Sequence, residues 1–320
     1  MGNLKKTKIR NSGLLFITAF IWGIAFVAQL SGGNAVGPFT FNSIRSLLGC
    51  LALVPVLLAA DKLGLTRGAP KTKAERKTLI VGGILCGLAL CLASNVQQIG
   101  LLLGQSAGKA GFLTTLYILI VPILGIFFKR KCRWNVWVGV VIALVGMYLL
   151  CFKGSFSSFK LGDGLLLLTS LLFSFHILII DYYTPKVDGV RMSIIQLAVC
   201  GIVTIIPAYF YDIQVQAGSF AKWFEPLTQF NSWIPILYAG ILSSGVAYTL
   251  QIIGQNKLNP TVASLIMSLE SVFSVIAGWV ILGDKLTPRE LLGCGLIFTA
   301  ICIAQMRFSI IQRTLEHRAF

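Results

Sequence analysis

Charge is what this chain has least of: only 12% of its 320 residues are Asp, Glu, Lys or Arg, against roughly 25% in ordinary soluble domains. No stretch between the apolar runs is long enough for a soluble module, which excludes an ATPase domain or an ordered receptor head. Energy for any work on a solute would therefore come from solute or ion gradients. Acid is scarcer than base, with 11 Asp plus Glu, and the aspartates sit at span ends, out of motif for an intramembrane aspartyl protease. Tyr211-Asp212 occurs, but Asp163 follows Lys-Leu-Gly and Asp284 follows Ile-Leu-Gly, where Gly-x-Gly-Asp is needed. There are two histidines, one of them in the tail, and Ser243 and Ser244 follow Gly-Ile-Leu rather than Gly-x. A rhomboid-like serine protease therefore has no motif either. An intramembrane enzyme acting on lipid or peptide is the rival class, and no catalytic residue supports it. The eight cysteines form no CxxC pair: seven lie singly in apolar segments and Cys132 in a charged loop, so neither a metal site nor a disulfide framework is expected, nor any cofactor.

What is present is hydrocarbon. Hydrophobic residues make up 56% of the chain and the mean hydropathy is +0.83. At about 20 apolar residues per crossing, the runs read as ten spans, near 12–30, 38–58, 79–102, 106–128, 134–152, 164–183, 192–211, 233–253, 261–282 and 290–306. The first is too long and uniform for a cleaved signal. A net charge of +16 could suggest nucleic acid, but the basic residues lie between the spans rather than in one patch, so no nucleic-acid partner is expected. Alternating the loops puts 20 of the 27 on the side holding both termini and six on the other, with Arg45 inside a span. By the positive-inside rule both termini are cytoplasmic, in a plasma or inner membrane.

The chain repeats itself. A displacement of 153 carries Gly87 onto Gly240, Gln98 onto Gln251, Ala110 onto Ala263, Leu116 onto Leu269 and Gly125 onto Gly278. One of 151 carries Gly13 onto Gly164, Thr18 onto Thr169 and Trp22 onto Phe173. The expected layout is a tail over 1–11, five-helix copies over 12–152 and 161–306, and a tail over 307–320. Five is odd, so the second copy enters the membrane upside down. Inverted repeats about an in-plane axis are the architecture of secondary transporters, with the solute site near the midplane. The fold class is thus all-α integral membrane, ten helices in two inverted five-helix repeats.

The segments AGKAGFLTTLY…VPILG and ASLIMSLESVFSVIAGWVILGDKLT, in a five-plus-five layout, resemble the EamA-type branch of the drug/metabolite transporter superfamily. The resemblance covers roughly Leu14 to Gln305. Similar proteins read Glu-Pro and then Gly-Glu in the second segment, where this chain has Ser271 and Asp284, so a less bent ninth helix is expected. The resemblance implies movement of small organic solutes, often export of amino acids or other metabolites.

Helical spacing selects the side chains that would line a cavity, since positions i, i+3, i+4 and i+7 share a face. Ser244, Tyr248, Gln251 and Gln255 form one polar stripe, Asn95 and Gln98 another, Asn42 and Arg45 a third, and Thr169, Phe173, His176 and Tyr183 a fourth. Lipid cannot satisfy such groups, so these faces point inward. Tyr117 and Glu270 fall on equivalent positions of the two copies. A carboxylate at mid-span costs about 2.5–3.5 kcal/mol, which makes Glu270 the candidate for proton coupling or for a fixed counter-charge. The substrate-binding candidates are Arg45, Asn95, Gln98, Lys109, Tyr117, His176, Tyr248, Gln251 and Glu270. Each also has a plainer reading as an interhelical hydrogen bond or, for Arg45 and Lys109, as a snorkelling cation. Trp22 and Phe173 read as packing. The partners expected are a small-molecule solute and membrane lipids, with the chain a monomer or a homodimer.

Overall fold

The computed structural model describes residues 2–103, 107–127, 134–151, 160–282 and 287–305. Cys132 and Asp284 lie outside these residues, as does the side chain of Lys109. Among them the chain is helical throughout, with no strand. The elements are α1 (Gly2–Val36), α2 (Pro38–Lys62), α3 (Lys73–Leu102), α4 (Ala107–Thr115), α5 (Tyr117–Phe127), α6 (Trp134–Cys151) and α7 (Leu161–Tyr183). After them come α8 (Gly189–Pro207), which continues as a π-helical stretch over Ala208–Ala217, and the short α9 (Phe220–Phe224). Next are α10 (Phe230–Leu237), a second π-helical stretch (Tyr238–Ala247), α11 (Tyr248–Gln255), α12 (Pro260–Met267), α13 (Leu269–Leu282) and α14 (Pro288–Gln305).

Eight helical stretches of the described residues are long and apolar enough to cross a membrane. The ninth apolar run, Trp134–Leu149, is shorter, and α14 opens on Arg289 and Glu290, which shortens its apolar part. These two pair with each other: Cβ atoms added at Gly139 and Gly146 would stand 2.8 Å from the carbonyls of Ala300 and Gly293, so only glycine permits this approach. Asn135 donates to the carbonyls of Ile303 and Ala304 at 3.0 Å, closing the end of the pair.

The burial pattern is the reverse of a soluble protein's. Leu51, Ile206, Val280 and Phe298 are exposed, whereas Thr18, Asn42, Gln98, Thr169, His176, Gln196 and Ser264 are essentially inaccessible. Lipid rewards apolar exteriors, and polar groups must find one another inside.

The duplication is visible in the packing. A Cβ at Gly87 of α3 would lie 2.8 Å from the Gln196 carbonyl and 2.6 Å from Val199 Cβ, both on α8. A Cβ at Gly240 would lie 3.2 Å from the Arg45 carbonyl and 2.9 Å from Leu48 Cβ, both on α2. Gly240 is Gly87 displaced by 153, and Gln196 and Val199 are Arg45 and Leu48 displaced by 151. The same small-residue seam is built twice. Likewise α1 wedges against α11 and α13 of the second copy, while α7 wedges against α3, α4 and α5 of the first.

Two spans depart from a straight helix near the middle of the molecule. The ninth, expected to run straighter for want of proline, breaks at Ser268 between α12 and α13. Ser264, Ser268, Ser271 and Ser274 each donate to the carbonyl three residues back, at 2.7–2.9 Å, and such back-bonding competes with the helical ladder. The first copy breaks at Leu116, where Thr115 donates to the Gly111 carbonyl at 2.7 Å and to the Phe112 carbonyl at 3.1 Å. Thr115 and Phe112 displaced by 153 are Ser268 and Leu265, the donor and acceptor of the second break. Hydroxyl back-bonding accompanies both breaks, and the second forms without a proline.

Candidate functional site

One residue after the first break comes Tyr117, and two residues after the second comes Glu270. Tyr117 Oη donates to Glu270 Oε1 at 3.2 Å, with both side chains buried. The two residues hold equivalent positions of the two copies, so this contact lies where the copies face each other. Around it lies a narrow cavity of about 30 Å³, room for a water molecule or two.

The wall also follows the duplication. Trp22 and Phe173, Phe26 and Ile177, and Thr114 and Met267 all line it, and each pair is related by 151 or 153. Chemistry breaks the symmetry. Arg45 lines the cavity from α2, 3% exposed, and its counterpart displaced by 151 is the neutral Gln196. Arg45 Nε donates to Asn42 Oδ1 at 2.8 Å, and its guanidinium lies 5.6 Å from the Phe41 ring centroid. Among the described residues neither Arg45 nor Glu270 has an ion-pair partner. The cavity therefore offers one cation and one carboxyl group to whatever enters it, between the faces of Trp22, Phe173 and Tyr248.

Of the nine candidate residues, Arg45, Tyr117, Tyr248, Gln251 and Glu270 line this cavity. Three others stand behind its wall. Asn95 donates to Thr204 Oγ1 at 2.9 Å and accepts from Asn42 at 2.9 Å, which fixes the partner of Arg45. Gln98 donates to the Gln29 carbonyl at 2.8 Å, so its neighbour Gln97 faces the cavity instead. His176 shares a 3.1 Å hydrogen bond with Gln196 and packs edge-on to Tyr248, ring centroids 6.0 Å apart. Lys109 lies in α4 with its side chain outside the described residues.

The polar stripe of the eighth span is shifted. Helical spacing selects Ser244, but Ser243 lines the cavity with Tyr248 and Gln251, because the π-helical stretch over Tyr238–Ala247 puts positions five apart on one face. Ser243 also accepts from Trp22 Nε1 through its carbonyl at 3.3 Å, and the Trp22 ring leans on Tyr248 with centroids 4.9 Å apart. Trp22 and Phe173, read from the sequence as packing, are cavity wall. The signal that could have found them was their own equivalence at a displacement of 151. Among the described residues no three His, Cys, Asp or Glu side chains come together in a way that could hold a metal ion.

The model of the EamA-like transporter family matches this chain twice, over residues 12–152 and 160–306. An uncharacterised transporter of Archaeoglobus fulgidus is 27% identical over 92% of this chain and 85% of its own length. The uncharacterised transporter YoaV of Bacillus subtilis is 22% identical over 93% and 97%. The threonine/homoserine exporter RhtA of Escherichia coli is 36% identical over 70 residues, 22% of this chain and 24% of its own. A solved crystal structure aligns with a TM-score of 0.72 over 96% of this chain and 99% of that one, at 17% identity, a likeness of fold.

Proposed function

The chain belongs to the EamA-like transporter family, a group of multi-pass membrane proteins, and from that premise we propose that it is a secondary carrier, more specifically an exporter, of a small organic metabolite. It works by alternating access: two inverted five-helix copies, residues 12–152 and 161–306, rock about the central cavity. The tails 1–11 and 307–320 lie in the cytoplasm, and the carrier acts as a monomer or homodimer without nucleic acid. It carries out no covalent chemistry, in keeping with relatives named as transporters.

One observation carries the reading of the solute: a buried cation and a buried carboxyl group, not paired with each other, line one aromatic-walled cavity. A free amino acid supplies the complement to both, its carboxylate to Arg45 and its ammonium to Glu270 and Tyr117. The aromatic faces take an apolar side chain and can hold the ammonium by its attraction to the ring. Gln251 and Gln97 add amides that can bond to either end. The partial match to an exporter named for threonine and homoserine supports the same class. Glu270 has a second role available, because a carboxyl group that alternates between protonated and solute-bound forms couples export to proton entry. Counterflow in proteoliposomes loaded with a mixed metabolite pool tests the whole. Exchange of labelled amino acids supports the reading, whereas exchange confined to solutes without a carboxylate rules out the part given to Arg45.

A further inference from the structure

The helices α2 and α8 begin 151 residues apart, at Pro38 and Gly189, and run antiparallel against each other, so that each ends beside the start of its partner. Both first turns receive a carboxylate, in different ways. The residue before α8 is Asp188, whose Oδ1 accepts from Arg191 N at 3.0 Å, an ordinary N-cap. The residue before α2 is Gly37, which has no side chain to offer. The amide equivalent to Arg191 N is Thr40 N, and it donates at 2.5 Å to Asp212 Oδ2, from the π-helical extension of α8 in the other copy. Gly37 sits at φ 89°, and a Cβ there would lie 2.7 Å from Asp212 Cγ, so the incoming carboxylate occupies the place of the missing cap.

Asp212 displaced by 151 is Asp61, near the end of α2. Asp61 makes the mirror contact: its Oδ2 lies 2.6 Å from Arg191 Nη2, in the first turn of α8. Thr40 and Asp61 are 21 residues apart on one helix, about 32 Å at 1.5 Å per residue, which is the thickness of a bilayer's hydrocarbon. The two carboxylates thus join the copies at opposite membrane faces.

We propose that Asp61 and Asp212 are the two latches of the carrier, equivalent by duplication, one released when the cavity opens to the face carrying the termini and the other when it opens to the opposite face. This rests on the alternating-access reading of the transport cycle. The latches are unequal. Asp212 is 2% exposed, and Thr40 is held a second time by Trp223 Nε1, which donates to its hydroxyl at 2.8 Å. At the other end the Asp61 side chain is 33% exposed and its ion pair is open to screening by salt. The further ties there, from Arg67 N to Asp188 Oδ2 at 3.1 Å and from Arg67 Nη1 to the Pro185 carbonyl at 2.8 Å, are exposed or only partly buried. The empty carrier therefore rests with the Asp212 end shut and opens first at the Asp61 end.

Hydrogen exchange of the full chain in lipid nanodiscs tests this without knowledge of the solute, so it can fail while the transport reading stands. In the native chain the peptides around 31–41 and 209–224 should exchange more slowly than those around 61–72 and 184–192. Asp212→Ala should speed the first group about tenfold, the ratio worth one charge-assisted hydrogen bond, and slow the second. Asp61→Ala should speed the second group and slow the first further. This seesaw is what a latch predicts and a local cap does not. Faster exchange at the mutated end with no change at the other end overturns the proposal. Should Asp212→Ala fail to fold, Asp212→Asn, which keeps a weaker acceptor, and Asp61→Ala face the same two outcomes.

Discussion

The two copies agree in shape and differ in charge. Their glycine seams and much of the cavity wall coincide under displacements of 151 and 153, and their helix breaks fall within one residue of equivalence, yet the first copy supplies Arg45 and Tyr117 where the second supplies Gln196 and Glu270. Packing tolerates little variation, because each copy must fit the other along the same backbone contacts. The cavity tolerates more, since a side chain facing open volume meets no such constraint. On the function proposed above, the shared part forms the scaffold and the unshared part selects the solute.

The sharpest test of that division is Glu270→Gln, which keeps the size and the hydrogen bond to Tyr117 while removing ionisation. Transport driven by a pH gradient should disappear, and solute-for-solute exchange should persist; parallel loss of both would make Glu270 a fixed counter-charge, and normal activity in both assays would remove it from the site. Next in size is Arg45→Lys, which keeps the charge but loses the two-pronged fork. Counterflow of solutes bearing a carboxylate should fall about tenfold, the weight of one charge-assisted hydrogen bond, with amidated analogues unaffected.

A stability comparison comes third, at positions Gly23 and Ser174, related by 151. A Cβ at Gly23 would press on Phe273 and stand 2.9 Å from the Glu270 carbonyl, so Gly23→Ala should cost about 1–3 kcal/mol by overpacking. Ser174 already has its Cβ and donates to the Ser170 carbonyl, so Ser174→Ala should cost about 1 kcal/mol or less. Thermal unfolding in detergent ranks the two, and equal shifts would mean that the seam at Gly23 has slack. The smallest effect belongs to His176→Phe. His176 stands behind Tyr248, so the apparent affinity for the solute should change little. A large loss of transport with unchanged stability would move the histidine into the wall.

Much of this arrangement is legible in the sequence. Scarce charge and long apolar runs dictate a membrane protein, and a glutamate in mid-span stands out because hydrocarbon penalises it. The register of the eighth span is not legible. Nothing in Ser243-Ser244 announces a π-helical stretch, and a single extra residue per turn moves the wall from one serine to the next. The break at Ser268 escapes for a related reason: without a proline the run reads as one continuous helix, while serine hydroxyls bonded to carbonyls three residues back compete with the ladder that such a reading assumes. Asn95, Gln98 and His176 are polar enough to line a cavity but bond instead to Asn42 and Thr204, to the Gln29 carbonyl and to Gln196, partners visible only in three dimensions.

The contact between Tyr117 and Glu270 also limits what the two copies can share. A glutamate at both equivalent positions would set two carboxylates at the 3.2 Å now spanned by the phenol and the carboxylate, and like charges so close cannot both ionise. A tyrosine hydroxyl in one copy donates a hydrogen bond to the carboxylate of the other without competing for its charge. At this one pair, difference between the copies is what lets them meet.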